Sequence, residues 1–416
     1  MSLRQRQEVQ TLLRQVTVME TIMHDSVHVP GFLGSSVASG IKIKGDRDLS
    51  LLSSEVPARA AGVFTTNRFK AAPVVLDMER IKSGRAQAVI VNSGNANAAT
   101  GEEGRRDAAA MSKAISEGLN IEDELVLVAS TGIIGERLPI EKITRAAGPL
   151  VKGLSADGIP AVAEGIMTTD RFPKIECRRC SVGVKEVTIC GIAKGAGMIE
   201  PNMATMLSFV LTDADIAPAC LTALFREAVD RSFNAITVDG CMSTNDTAII
   251  LANGVAGNGP LSEKSKSLEG FRKALFDVME SLARAIVRDG EGATKLIEIV
   301  VEGAKTVGDA RTVAYAIARS NLVKTAFFGE DPNWGRIISA AGSTAVPFPT
   351  EALELYIDEV PLFMRGRGVP GKEAAEVMKR DEMRILVRLG VGGETFRVYT
   401  SDLSHEYVDI NALYHS

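Results

Sequence analysis

A threonine behind a small residue, at the end of a glycine-rich run and ahead of an apolar stretch, has the form that a self-cleaving chain requires. The run Lys194-Gly195-Ala196-Gly197-Met198-Ile199-Glu200-Pro201-Asn202-Met203-Ala204-Thr205-Met206-Leu207 has that form. Cleavage between Ala204 and Thr205 would leave Thr205 with a free α-amine beside its own hydroxyl. A threonine hydroxyl is a weak nucleophile at neutral pH, and an α-amine titrating near about 7.7–8.0 can take its proton. One residue then supplies nucleophile and base, a variant of the triad logic. The same residues also read as a glycine-rich turn into a core strand, and the run alone leaves both readings open.

Other segments carry residues suited to such a reaction. Ser130-Thr131-Gly132 follows a strand-like run, so that Thr131 offers a hydroxyl and Gly132 permits close approach of the backbone. That is a candidate oxyanion hole for acyl transfer, with a hydroxyl-capped turn as the alternative. Asp289-Gly290-Glu291-Gly292 sets a carboxylate between two glycines, where it can bind an ammonium group or simply sit in a solvated turn. Asn92-Ser93-Gly94-Asn95-Ala96-Asn97-Ala98 predicts a tightly turned, self-hydrogen-bonded loop of the kind that also lines active sites. Asn234–Thr247 is rich in small polar residues but lacks metal-ligand spacing. Gly366–Lys372 imitates a phosphate loop, but Glu373 stands where a hydroxyl must hold magnesium, which argues against nucleotide binding.

These residues need strands and helices to bring them together. Apolar patterning predicts strands over Ala86–Val91, Glu124–Ala129, Glu186–Cys190, Met206–Thr212 and Lys295–Val301, with a strand-rich end at Leu353–Ile357, Arg384–Leu389 and Thr395–Tyr399. It predicts helices over Arg105–Leu119, Ile140–Leu154, Ala161–Met167, Ala217–Ser232, Leu268–Arg288 and Val307–Arg319. The outcome is a layered α+β protein whose sheets are covered by helices. No repeat or low-complexity linker divides the chain, so a break before Thr205 would cut one folded unit.

Composition narrows the partners. The chain has 416 residues, 45% hydrophobic and 24% charged, with a formal net charge of −5. That is the profile of a soluble enzyme without the basic surface that nucleic acid demands. A small-molecule substrate follows. No apolar stretch approaches the roughly 20 residues of a membrane span. The first 28 residues read as a helical extension, with a mitochondrial presequence as the lesser alternative. The five cysteines, Cys177, Cys180, Cys190, Cys220 and Cys241, are an odd number with no secretory signal, which predicts reduced thiols. Cys177-x-x-Cys180 lacks further ligands for zinc, so no metal site is expected.

Eight ordered motifs together resemble one family. They are GVFTTNRF at Gly62–Phe69, VNSGNANAATG at Val91–Gly101, STG at Ser130–Gly132, MTTD at Met167–Asp170, KGAGMIEPNMATML at Lys194–Leu207, DGCMSTNDT at Asp239–Thr247, DGEGATK at Asp289–Lys295 and DPNWGRI at Asp331–Ile337. The family is the ornithine acetyltransferases (glutamate N-acetyltransferases) of arginine biosynthesis, and the resemblance runs from about Val29 to Ser416.

That resemblance implies transfer of an acetyl group from N2-acetylornithine to glutamate through an acetyl-threonine, after autocleavage between Ala204 and Thr205. Thr205 would be the nucleophile, and Thr131 and Gly132 the oxyanion hole. Thr168, Lys194, Thr205, Glu291, Asn411 and Ser416 would contact substrate. The implied fold is a layered αββα-type sandwich, shared with an autoprocessed aminopeptidase family and cut into two intertwined fragments, 29–204 and 205–416. Also implied are an α2β2 assembly of those fragments, a cytoplasmic location and no cofactor, with acetyl-CoA open as a second acetyl donor. An autoprocessed amide hydrolase or aminopeptidase on the same scaffold is the first competing reading. An uncut metabolite-binding protein is the second.

Overall fold

A run that is apolar on both faces has to lie inside a layered structure, and Leu207–Thr212, reading LSFVLT, is buried at every residue. The computed structural model describes residues 27–42, 45–200 and 206–413 of the chain. The extension up to residue 26, the cleavage pair Ala204 and Thr205, and Ser416 lie outside the described residues. In chain order the strands are β1 (Phe32–Val37), β2 (Leu49–Phe64), β3 (Arg85–Asn92), β4 (Val126–Ser130), β5 (Lys174–Val182), β6 (Lys185–Lys194), β7 (Leu207–Thr212), β8 (Ile236–Thr237), β9 (Thr247–Ala252), β10 (Leu296–Ala304), β11 (Glu354–Ile357), β12 (Val360–Met364), β13 (Arg367–Gly368), β14 (Glu382–Arg388) and β15 (Glu394–Ser401). The helices are α1 (Ala72–Arg80), α2 (Gly101–Leu119), α3 (Ile140–Lys152), α4 (Ile159–Gly165), α5 (Pro218–Arg231), α6 (Leu268–Arg288), α7 (Val307–Ala318), α8 (Asn321–Phe328), α9 (Trp334–Gly342), α10 (Glu373–Val377) and α11 (His405–Leu413).

Two sheets result, in the α+β arrangement expected. One runs β4-β3-β2-β9-β7-β6-β5 with β1 also paired to β2, and the other runs β13-β12-β11-β14-β10-β15-β8. Alternation along β7 explains the layering. Val210 joins a core with Leu221 and Phe225 of α5 and Val278 and Leu282 of α6, while Phe209 and Leu211 join the opposite core with Ile159 and Val162 of α4. Farther along the same sheet, Ile90 and Val128 pack on Met111 of α2 and Ile143 of α3. In the second sheet Ile297, Ile299 and Val301 pack on Val313 and Ile317 of α7.

Residues before and after position 205 share the first sheet. β6 pairs antiparallel with β7, and β2 pairs antiparallel with β9. The sheet therefore crosses the proposed cleavage position twice.

Several elements, among them β1, β5, β9, α1 and α8, carry no expectation from the sequence patterning, and two departures have a direct physical reason. The central 16-residue strand β2 escapes it because its ladder to β3 is interrupted between Ser53 and Ala58, around Pro57, and the alternation is broken there. The expectation of reduced thiols fails at one pair: Cys177 and Cys190 are bonded through sulfur, with Cα atoms 4.1 Å apart. The antiparallel register of β5 and β6 sets them directly opposite each other, a relationship that residue counting does not contain. Cys180 and Cys220 are free and buried, and Cys241 is free and exposed. The phosphate-loop imitation is a hairpin: Met364 pairs with Arg367, and Arg365 and Gly366 between them both take positive φ, as a tight two-residue turn requires.

Candidate active site

Thr131, Gly132, Thr168, Lys194, Glu291 and Asn411, spread over most of the chain, line one cavity of about 150 Å³. All of the proposed site residues within the described part of the chain therefore converge. Larger open clefts of about 750 Å³ beside Met78 and Arg226, and about 730 Å³ beside Arg311 and Arg397, contain none of them.

The wall carrying Thr131 is built where the parallel strands β3 and β4 end together. The Thr131 N–H donates to the Asn92 carbonyl at 3.0 Å, and the Asn92 side chain donates to the Ser130 hydroxyl at 2.6 Å. Asn92 Oδ1 also accepts from the Asn95 N–H at 3.0 Å, and Asn95 Oδ1 accepts from the Asn97 N–H at 2.7 Å. The asparagine-rich loop is thus self-hydrogen-bonded, as its composition predicts, and it places Ala96 on the cavity wall. Gly132 sits at φ +135°, and a Cβ there would lie 2.5 Å from the Gly94 carbonyl carbon. Only glycine lets these two loops touch.

Lys194 is the last residue of β6 and is buried, 3% exposed. Its Nζ donates to the Thr131 hydroxyl oxygen at 3.3 Å. Burial lowers its pKa from the ordinary lysine value, with Asp170 acting in the opposite direction. Among the described residues it has no carboxylate within ion-pair distance. A buried ammonium in that position is able to receive an anion, because a counter-charge in the cavity would offset its desolvation further.

Beneath the cavity floor lies an ionic cluster. Asp170 accepts from the Thr168 N–H at 2.9 Å, the Gly195 N–H at 2.7 Å and Lys174 Nζ at 2.7 Å. Lys174 Nζ also reaches Asp289 at 2.6 Å, and Asp289 takes the Arg171 side chain at 3.0 Å. Burial alone would raise the Asp170 pKa, but the ammonium groups of Lys194 and Lys174 outweigh it and hold the carboxyl at about 2. One carboxylate therefore fixes the backbone at Thr168 and just beyond Lys194, on two separate cavity walls.

Glu291 is held from both sides. Its N–H donates to the Ala196 carbonyl at 2.9 Å, Asn411 Nδ2 donates to its Oε2 at 2.8 Å, and its carboxylate packs where a side chain on Gly197 would collide with it. The Ser404 hydroxyl anchors the neighbouring Gly292 carbonyl at 2.6 Å, which brings α11 and Asn411 to the cavity.

Apolar patterning assigns no role to the segment Thr237–Thr247, yet it anchors the chain on both sides of residues 201–205. Asp239 accepts from the Met198 and Ile199 N–H groups at 2.6 and 2.9 Å. Thr237 donates to Glu200 at 3.0 Å, and Glu200 also pairs with Arg319. On the far side, Asp246 Oδ1 accepts from the Met206 N–H at 3.1 Å. Asp246 is fully buried, its Oδ2 has no hydrogen-bond partner among the described residues, and burial lifts its pKa well above the usual carboxylate range. Ser243 and Asn245 line the cavity itself. The available signal is the density of small polar residues in DGCMSTNDT, but their pairing depends on contacts remote in sequence. Among the described residues, no group of three or more His, Cys, Asp or Glu could hold a metal ion.

A buried ammonium and a carboxylate on the walls of so small a cavity, with a hydroxyl beside a tightly packed glycine, suit a small zwitterion that exchanges an acyl group. The chain belongs to the ArgJ family, whose model matches residues 34–416. It is 51% identical over 391 residues to the arginine biosynthesis bifunctional protein ArgJ of Geobacter sulfurreducens, covering 93% of this chain and 100% of that one. It is 46% identical over 387 residues to the protein of the same name from Bacillus subtilis, covering 92% and 95%. Among solved structures, the Bacillus halodurans arginine biosynthesis bifunctional protein argJ is 41% identical with a TM-score of 0.49, covering 50% of this chain and 100% of that one. The Mycobacterium tuberculosis ornithine acetyltransferase, solved in complex with ornithine, is 38% identical with a TM-score of 0.42, covering 44% and 98%.

Proposed function

We propose that this protein is a glutamate N-acetyltransferase of arginine biosynthesis, which moves an acetyl group from N2-acetylornithine to glutamate and releases ornithine and N-acetylglutamate. The observation that carries the reading is the buried Lys194 ammonium facing the same cavity as the Glu291 carboxylate and the Thr131 hydroxyl. An N2-acetylornithine molecule carries an α-carboxylate that matches Lys194 and a side-chain ammonium that matches Glu291 and Asn411. Thr168 and the terminal Ser416 complete the substrate contacts in this reading.

The chemistry has two half-reactions. After the chain cleaves itself between Ala204 and Thr205, the Thr205 hydroxyl attacks the acetyl carbonyl and its proton passes to the α-amine. The negative oxygen of the tetrahedral intermediate is held by the Thr131 hydroxyl and the Gly132 N–H. An ammonium group has no acceptor, so in the Lys194–Thr131 bond the threonine oxygen accepts and its own proton is free to donate. The intermediate collapses, the C–N bond breaks, and the amine of ornithine leaves with the proton. The amine of glutamate then attacks the acetyl-threonine ester, and N-acetylglutamate departs as the hydroxyl of Thr205 is restored. Fragments 29–204 and 205–416 stay together through the shared sheet and assemble as α2β2 in the cytoplasm. No helix among the described residues is long and apolar enough to cross a membrane.

The curated relatives are named bifunctional, which supports acetyl-CoA as a second donor to the same threonine. No other cofactor enters the scheme. The test combines denaturing electrophoresis with product analysis. Two bands and N-acetylglutamate formed from N2-acetylornithine with ping-pong kinetics are expected. Free acetate formed in the absence of glutamate would replace this reading with an amide hydrolase, and a single full-length band would replace it with an uncut binding protein. Repeating the assay with acetyl-CoA as donor decides between one activity and two.

A further inference from the structure

The Asn245 side chain lies in the cavity wall and uses both hydrogens of its amide. One goes to the Ala96 carbonyl at 2.6 Å and the other to the Ser130 carbonyl at 2.8 Å. Its Oδ1 accepts from the Thr244 hydroxyl at 2.6 Å, and its own N–H is held by the Ser243 hydroxyl at 3.0 Å. The amide orientation is therefore determined at three points, and every bond is buried or partly buried.

The two carbonyls it grips belong to the two loops that make the Thr131 wall. The Ser130 carbonyl lies in the same planar peptide as the Thr131 N–H, and that N–H is bound on its far side by the Asn92 carbonyl. Holding both ends of one rigid peptide leaves little freedom for the backbone at Thr131 or for the Gly132 that follows, while Lys194 holds the Thr131 hydroxyl. The next residue along the chain, Asp246, receives the Met206 N–H. The two-residue step Asn245-Asp246 thus ties the oxyanion wall to the start of β7, immediately after the proposed nucleophile. The two Asn245 bonds join residues on opposite sides of the proposed cleavage position, and the Asp246 bond lies after it.

We propose that Asn245 is a positioning residue that sets the oxyanion donors Thr131 and Gly132 relative to Met206 and β7, the chain that follows the proposed nucleophile. It acts through the Ser130 carbonyl, and the inference rests on the acyl-transfer reading given above. Preorganised oxyanion donors typically contribute about 10²–10³-fold in turnover, and a displacement of about 1 Å is enough to forfeit much of that. Ligand charges are held elsewhere, at Lys194 and Glu291, so the loss belongs in turnover and not in binding.

The test compares wild type with Asn245→Asp, which turns a donor toward two carbonyls into a repelling acceptor, and with Asn245→Ser, which keeps one donor. Rates of acetyl-enzyme formation from N2-acetylornithine, by mass spectrometry of the 205–416 fragment, are normalised to the cleaved fraction on a denaturing gel. Ornithine Kd is measured by calorimetry. The expected result is a rate about 100-fold lower for Asn245→Asp and about 10-fold lower for Asn245→Ser, with Kd within about threefold of wild type. Where the Asp variant does not fold, Asn245→Ser decides. Wild-type rates in the folded variants, or rate and Kd lost in equal measure, overturn the proposal. A wild-type protein that transfers no acetyl group overturns the reading beneath it, and so the two failures are distinguishable.

Discussion

The Lys194 ammonium, at the end of β6, donates at 3.3 Å to the hydroxyl of Thr131, the first residue after β4. The bond joins strands from distant parts of the first sheet and places a positive charge beside the proposed oxyanion donor. In the proposed reaction that charge would draw the substrate carboxylate into the cavity, and the bond leaves the Thr131 proton free to donate.

Replacing that charge should weaken binding. Lys194→Met keeps much of the apolar stem and removes the ammonium, so the KM for N2-acetylornithine should rise about 10- to 100-fold, as loss of a charged hydrogen bond of about 1.5–3 kcal/mol predicts. In the wild type, burial lowers the Lys194 pKa, and carboxylate binding needs the protonated form. KM should therefore climb with alkaline pH below the ordinary lysine range, and the Met variant should lack that dependence. An unchanged KM in Lys194→Met removes the carboxylate-binding role.

Self-cleavage is read directly on a denaturing gel. Thr205→Ala should run as one full-length band with no turnover, and Thr205→Ser should retain part of both processing and activity, because a serine hydroxyl does the same chemistry. Two fragments from Thr205→Ala would exclude Thr205 as the nucleophile.

Acid should loosen the cavity floor at Asp170. Its folded pKa of about 2 lies below its unfolded value, so its contribution to stability is complete above about pH 4 and is lost as pH falls toward 2. The shift corresponds to roughly 2 kcal/mol. Thermal melts between pH 5 and 2 should show a steep decline in the wild type and a shallower one in Asp170→Asn. That variant should also be less stable at neutral pH, because Lys174 loses one of its two buried partners. Parallel pH profiles for the two proteins would contradict this assignment.

Removing the last six residues, Asn411–Ser416, deletes the amide that donates to Glu291 and, with Ser416, the proposed terminal contact to substrate. KM should rise sharply while two fragments still form, because Asp239 and Asp246, which hold the chain on either side of the proposed cleavage segment, are untouched. An unchanged KM would place the substrate away from α11.

The sequence alone named the residues that meet in the cavity. Thr131, Gly132, Thr168, Lys194, Glu291 and Asn411 stand in short motifs or at the chain's end, and they line one cavity. The long amphipathic helix Leu268–Arg288 and the fully buried strand after Thr205 were equally legible, since their apolar spacing is a local property. What the tertiary structure alone decided are the pairings. Lys174 lies between Asp170 and Asp289, Asn245 bridges the Ala96 and Ser130 carbonyls, and Cys177 is bonded to Cys190. Each depends on strand register or on loops meeting from far apart in the chain. A buried charge or amide is satisfied by whichever group the fold delivers to it, and that partner leaves no periodic trace in the sequence.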